Sequence, residues 1–122
     1  MLTENDIAGI SRRIVDACAP LAVGTFGSYA LGSAGGRSDL DLFIIKGSIR
    51  SAATARSFRG LLFDVLHPID IDVFTAEEFE ETAHEYLSFT WVIAEQACLY
   101  HWTEEAARVV PSLLPSAARI EK

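Results

Sequence analysis

Cysteine is scarce in this chain: Cys18 and Cys98 are the two in 122 residues. Both sit in apolar contexts and neither belongs to a spaced Cys/His cluster. That excludes a disulfide scaffold or a zinc module and reads as two buried thiols in a reducing compartment. Cations are also few, with 10 Lys and Arg against 17 Asp and Glu, a net charge of −7. A phosphate backbone is bound by clustered Lys and Arg, so this balance argues against a nucleic-acid ligand. It suits solubility or a basic partner. His67, His84 and His101 form no pair with metal-ligand spacing, and none is assigned a catalytic role. His67 precedes Pro68 at an expected helix end, where its charge would favour the dipole. No apolar run approaches the ~20 residues of a membrane span. The N-terminus has no charged-then-apolar leader pattern, so a cytoplasmic protein is expected. Repeats, linkers and low-complexity segments are absent.

Half of the residues are apolar, enough for a sizeable core in one domain spanning 1–122, with 110–122 expected as a loose tail. Thr3 and Asp6 form a capping box, and Ile7, Ile10, Ile14, Val15 and Cys18 recur at helical spacing until Pro20. Leu21 to Phe26 reads as a strand apolar on both faces, hence central. A second strand covers Leu40 to Ile45. A helix is expected from about Arg50 to Leu66, with Ala55, Phe58, Leu61, Leu62, Val65 and Leu66 inward. Arg50, Arg56 and Arg59 lie on or near its exposed side. Ile69 to Phe74 alternates strictly, with Ile69, Ile71 and Val73 on one face and Asp70, Asp72 and Phe74 on the other. Thr75 to Glu78 is a second capping box, starting a helix with Phe79, Ala83, Tyr86 and Leu87 inward that can continue to Glu95. Ala97 to Tyr100 reads as a short strand, and Thr103 caps a last helix that Pro111 stops.

The stretch that organises the rest runs from Gly27 to Ile45. Gly27 and Ser28 end the first strand and open a short helix, where a hydroxyl and free backbone N–H groups can hold a phosphate oxygen. Ten residues later Asp39 and Asp41 enter the second strand at spacing two, so their carboxylates share a face. Leu40, Leu42 and Ile44 take the opposite face, which is read as the core. Paired carboxylates beside a phosphate-holding turn make a site for Mg²⁺ and a nucleoside triphosphate, because Mg²⁺ favours one or two carboxylates plus substrate phosphates.

Gly27, Ser28, Asp39 and Asp41 at this spacing, with Arg37 and Ser38 before the first aspartate, resemble the signature of the nucleotidyltransferase superfamily related to polymerase beta. The similarity is greatest to its short branch, the minimal nucleotidyltransferases. The resemblance covers about residues 10 to 100, including Ala97 to Tyr100. It implies an α+β fold with a small mixed central sheet flanked by helices. It also implies that Gly27 and Ser28 bind the triphosphate of ATP, with Arg37 and Ser38 assisting, and that Asp39 and Asp41 hold two Mg²⁺ ions. A third carboxylate is expected on the strand that runs into a Thr-x-Glu-Glu helix start; Asp72, followed by Val73, Phe74 and Thr75 to Glu78, fits that form. Asp70, on the same face, is its rival. Asp72 would also take the acceptor's hydroxyl proton.

Larger members add a domain that positions the acceptor. Here about forty residues follow the third strand's helix start, so the acceptor site is expected to come from another molecule, in a homo- or hetero-oligomer. Minimal nucleotidyltransferases commonly pair with a HEPN-domain ribonuclease toxin and act as antitoxins that adenylylate its tyrosine hydroxyl. The resemblance implies that role here. The alternatives are a nucleotidyltransferase acting on a small molecule of the antibiotic type and an antitoxin that works by contact alone.

Overall fold

Two strand pairings set the architecture. In the structure, a computed structural model describing residues 1–47, 60–62 and 64–117, β1 (Ala22–Phe26) pairs antiparallel with β2 (Leu40–Lys46). Strand β2 then pairs in parallel with β3 (Ile69–Thr75). With β4 (Cys98–Trp102) antiparallel on the other side of β1, the sheet order is β3-β2-β1-β4. The expected central position of β1 is what the sheet shows, and the fold is the mixed α+β arrangement read from the motif.

Helix α1 (Glu4–Cys18) starts at the Thr3 capping box, with Asp6 Oδ2 accepting the Thr3 N–H at 2.8 Å. Its Ile7, Ile10 and Ile14 pack on Val23, Leu40, Leu42 and Ile44. The other face is covered by α3 (Ala76–Ala83) and α4 (Phe89–Gln96), whose Phe79 and Ile93 meet Phe43 and Ile45. The core is therefore double. Phe43 and Ile45, on the carboxylate face of β2, are as fully buried as Leu42 and Ile44, and only the start of that face is left for chemistry. Gly24 makes this packing possible: a Cβ there would lie 2.8 Å from the Phe43 ring and 2.9 Å from the Cys98 carbonyl.

Five expectations change. Tyr86 and Leu87, expected inward, are exposed, because the helix has ended before them. The helix from Thr75 to Glu95 is two helices, separated by residues 84–88, in which Leu87 takes a positive φ of 68° and Ser88 caps α4 by accepting the Trp91 N–H. Cys98 is exposed and Cys18 half-buried, since β4 is an edge strand and Cys18 ends α1. Leu66 is 97% exposed rather than inward, while Leu62 is buried; most of the helix expected over 50–66, with its three arginines, lies outside the described residues. After α5 (Glu104–Val109), Pro111–Leu113 form a 3-10 turn and Leu114–Ala117 a last helical turn, α6. Leu113 is fully buried there, so up to Ala117 the expected loose tail is packed. Pro111 ends one helix but stands in the first turn of the next, where its missing N–H costs nothing. Among the described residues no helix is long and apolar enough to cross a membrane.

Candidate active site

Strand β1 delivers the chain to Gly27, whose φ of 75° and ψ of −151° form a backbone conformation that essentially only glycine adopts. The turn opens α2 (Ser28–Leu31). Its first intrahelical bond runs from the Leu31 N–H to the Gly27 carbonyl at 3.0 Å. The amides of Ser28, Tyr29 and Ala30 come before it, as helix-start donors do. The Gly27 N–H is held by Gln96 Oε1 at 2.9 Å. A Cβ on Gly27 would lie 2.6 Å from Asp41 Oδ2, so the turn and the second carboxylate are in contact range.

Three of the four aspartates come together, while Asp39 precedes β2 and does not line their cavity. Asp41 lies beside Asp70 in the parallel register, and Asp72 beside Phe43, one pair further in. Asp41, Asp70 and Asp72 line one cavity of about 310 Å³ with Phe26 and Phe89. Asp39 and Asp70 are exposed, Asp41 and Asp72 half-buried. Burial first, then the charges of Asp70, Asp39 and Asp72, hold the Asp41 carboxyl above its ordinary value. Burial and the Asp70 charge do the same to Asp72. Among the described residues, the charged neighbours that move Asp41 are all carboxylates.

Among the described residues no three His, Cys, Asp or Glu side chains converge into a ready cation cage. The donor chemistry nevertheless suits Mg²⁺: carboxylates are hard oxygens, Asp41 and Asp72 are half-buried among like charges, and this ion completes its shell with phosphate oxygens and water. Asp39, Asp41 and Asp72 are the side chains that would hold it.

The remaining predicted residues fare differently. Arg37 is exposed on the turn. The polar groups of Ser38 work inside the structure: its Oγ accepts the Gly35 N–H at 2.9 Å, its N–H donates to the Gly35 carbonyl at 3.1 Å, and its carbonyl accepts from His67 Nε2 at 2.8 Å. Three residues at the site carry no sequence signal of that role. Gln96 is 69 positions from Gly27. Phe89 is 52% exposed at the cavity, its ring edge-on to Phe26 at 5.6 Å. His67 bonds Ser38 from 29 positions away.

The glycine-serine turn set against strand carboxylates places the chain in a class of mixed α+β proteins with an acidic site at one end of the sheet. Within that class the chain belongs to the nucleotidyltransferase domain family, whose model matches residues 11–115. Its fold is shared with solved toxin–antitoxin structures. A double aspartate-to-glutamate mutant of the MntA-HpeT pair aligns at a TM-score of 0.59 and 13% identity, over 98% of this chain and 90% of that one. A second MntA-HpeT mutant aligns at 0.54 and 14% identity, over the same shares. A toxin–antitoxin complex with AMP-PNP aligns at 0.51 and 14% identity, over 93% and 86%. At such identities the likeness is one of fold. No curated protein matches the chain.

Proposed function

We propose that this protein is a Mg²⁺-dependent nucleotidyltransferase that transfers AMP from ATP to a protein hydroxyl, a tyrosine of a cognate HEPN ribonuclease toxin, and so acts as its antitoxin. The observation that carries the reading is the contact between halves of the motif: Asp41 packs against the Gly27 turn and shares its cavity with Asp72. Family membership supports nucleotidyl transfer, and a fold neighbour solved with AMP-PNP supports an adenine nucleotide. The toxin partner rests on the toxin–antitoxin neighbours and on the acidic charge.

In this reading the Ser28 hydroxyl and the amides that open α2 hold the β- and γ-phosphates. Asp39, Asp41 and Asp72 would hold Mg²⁺, which when bound offsets the charge of the phosphates. The acceptor oxygen bonds to the α-phosphorus, the bond from that phosphorus to the bridging oxygen breaks, and pyrophosphate leaves. Asp72, raised above its ordinary value by burial and Asp70, takes the hydroxyl proton. A small-molecule acceptor is the second reading; the aromatic wall of Phe26 and Phe89 is the observation in its favour.

The test is to incubate the protein with a cognate HEPN toxin, ATP and Mg²⁺ and weigh the toxin intact. A gain of one or more AMP units, lost in Asp39→Asn and Asp41→Asn, is expected. A toxin that stays unmodified but is still inhibited by the Asp41→Asn protein would replace this reading with the contact-only antitoxin.

A further inference from the structure

His67 lies outside the motif, yet it touches both halves of it. Its Nε2 is 2.8 Å from the Ser38 carbonyl and 3.2 Å from the Tyr29 hydroxyl. Tyr29 follows Ser28 in α2, and its ring meets the imidazole edge-on with centroids 5.9 Å apart. Ser38 immediately precedes Asp39. On the other side of that aspartate, the Leu40 N–H donates to the Pro68 carbonyl at 3.0 Å. The backbone of Asp39 is therefore tied at both neighbours, to two consecutive residues at the entry to β3. The proton bookkeeping fixes the imidazole tautomer. A carbonyl only accepts, so Nε2 carries the proton and donates to Ser38. The Tyr29 oxygen accepts the Leu2 N–H at 3.1 Å and lies within reach of the same Nε2–H as a second acceptor.

We infer that His67 is a positioning residue: through Ser38 and Tyr29 it fixes the Asp39 turn against the helix that begins at Ser28, so that carboxylates and phosphate-binding turn are pre-aligned before substrate arrives. The inference rests on the nucleotide-site reading above. It assigns work to a side chain that neither touches the reacting atoms nor belongs to the signature. Partners standing behind metal ligands commonly change metal affinity or activity by about 10- to 100-fold when removed, because the ligand loses its fixed direction.

The experiment uses the full chain, titrated with ATP in the presence of Mg²⁺ by calorimetry well below its melting temperature. His67→Ala should weaken binding about tenfold, and Tyr29→Phe should weaken it less, since the Ser38 contact survives. His67→Gln, whose side-chain amide offers an N–H near the position of Nε2, should recover most of the loss. A histidine that merely supported the fold would lower the melting temperature of His67→Ala without moving the affinity, and that result overturns the inference. So does a His67→Gln protein as weak as His67→Ala. A long-range ¹H–¹⁵N spectrum of the nucleotide-free protein provides a second readout. It should show His67 protonated on Nε2 alone in its neutral form; a proton on Nδ1 instead overturns the geometry. A wild-type protein that does not bind ATP with Mg²⁺ defeats the functional reading itself, whereas wild-type binding matched by His67→Ala defeats only this inference.

Discussion

Gly27 shows how one missing methyl group serves both conformation and chemistry. Its dihedral angles belong to glycine, and the Asp41 carboxylate fills the space a Cβ would take. Gly27→Ala should lose about 1–3 kcal/mol of stability from backbone strain and push Asp41 out of line. Urea unfolding and calorimetry with ATP and Mg²⁺ measure the two effects separately. Asp41 itself is held where its charge is disfavoured. Its folded-state carboxyl sits above the ordinary 3.8 because burial and three neighbouring carboxylates disfavour its charge. The folded state thus binds this proton more tightly than the unfolded state, and stability falls as pH rises through the raised value. In EDTA, Asp41→Asn should melt higher than wild type at neutral pH, and the gap should close as the pH drops towards 3.8. The same substitution should abolish the wild-type stabilisation by ATP with Mg²⁺. For the third carboxylate, Asp72→Asn should abolish transfer while Asp70→Asn leaves a measurable rate. The opposite ranking in a transfer assay would assign the role to Asp70, which stands beside Asp41 in register.

At the scale of elements, what was legible in the sequence follows the range of the interaction. Capping boxes are local, and both formed where Thr3 and Thr75 placed them. Strand alternation is local too, and it put Asp70 and Asp72 on the face of Asp41. The break after Ala83 was not legible, because residues 84–88 contain neither glycine nor proline; the chain turns through Leu87 in a conformation that non-glycine residues seldom adopt. The parallel pairing of β2 with β3 and the links from Gln96 and His67 to the motif depend on partners far apart in the chain, which no window reveals. The Thr75 cap matters because it begins α3 directly after the carboxylate strand. Its hydroxyl accepts the Glu78 N–H at 3.1 Å, and the Glu78 carboxylate accepts the Thr75 N–H at 2.8 Å. Thr75→Ala should cost about 1 kcal/mol, read from the urea midpoint, and Thr75→Ser should restore most of it.

For the whole molecule, charge decides what kind of partner can approach. The net charge of −7 repels a phosphate backbone and attracts a protein that carries cations for RNA. Acidic side chains follow the carboxylate strand in the chain: Glu77, Glu78, Glu81 and Glu85 are all exposed on α3 and the turn after it. Exposed charges of this kind act on encounter more than on the lifetime of a complex, since each is screened and hydrated once contact is made. Screening shortens their reach from ~30 Å at 0.01 M salt to ~8 Å at 0.15 M. Association with the proposed HEPN toxin should therefore slow by about tenfold or more across that range, with the dissociation rate nearly constant, as measured by stopped-flow or surface plasmon resonance. Replacing Glu81 and Glu85 by Gln should flatten the dependence without affecting the binding of ATP and Mg²⁺ to the free protein. An association rate indifferent to salt would remove electrostatic attraction from the proposed encounter.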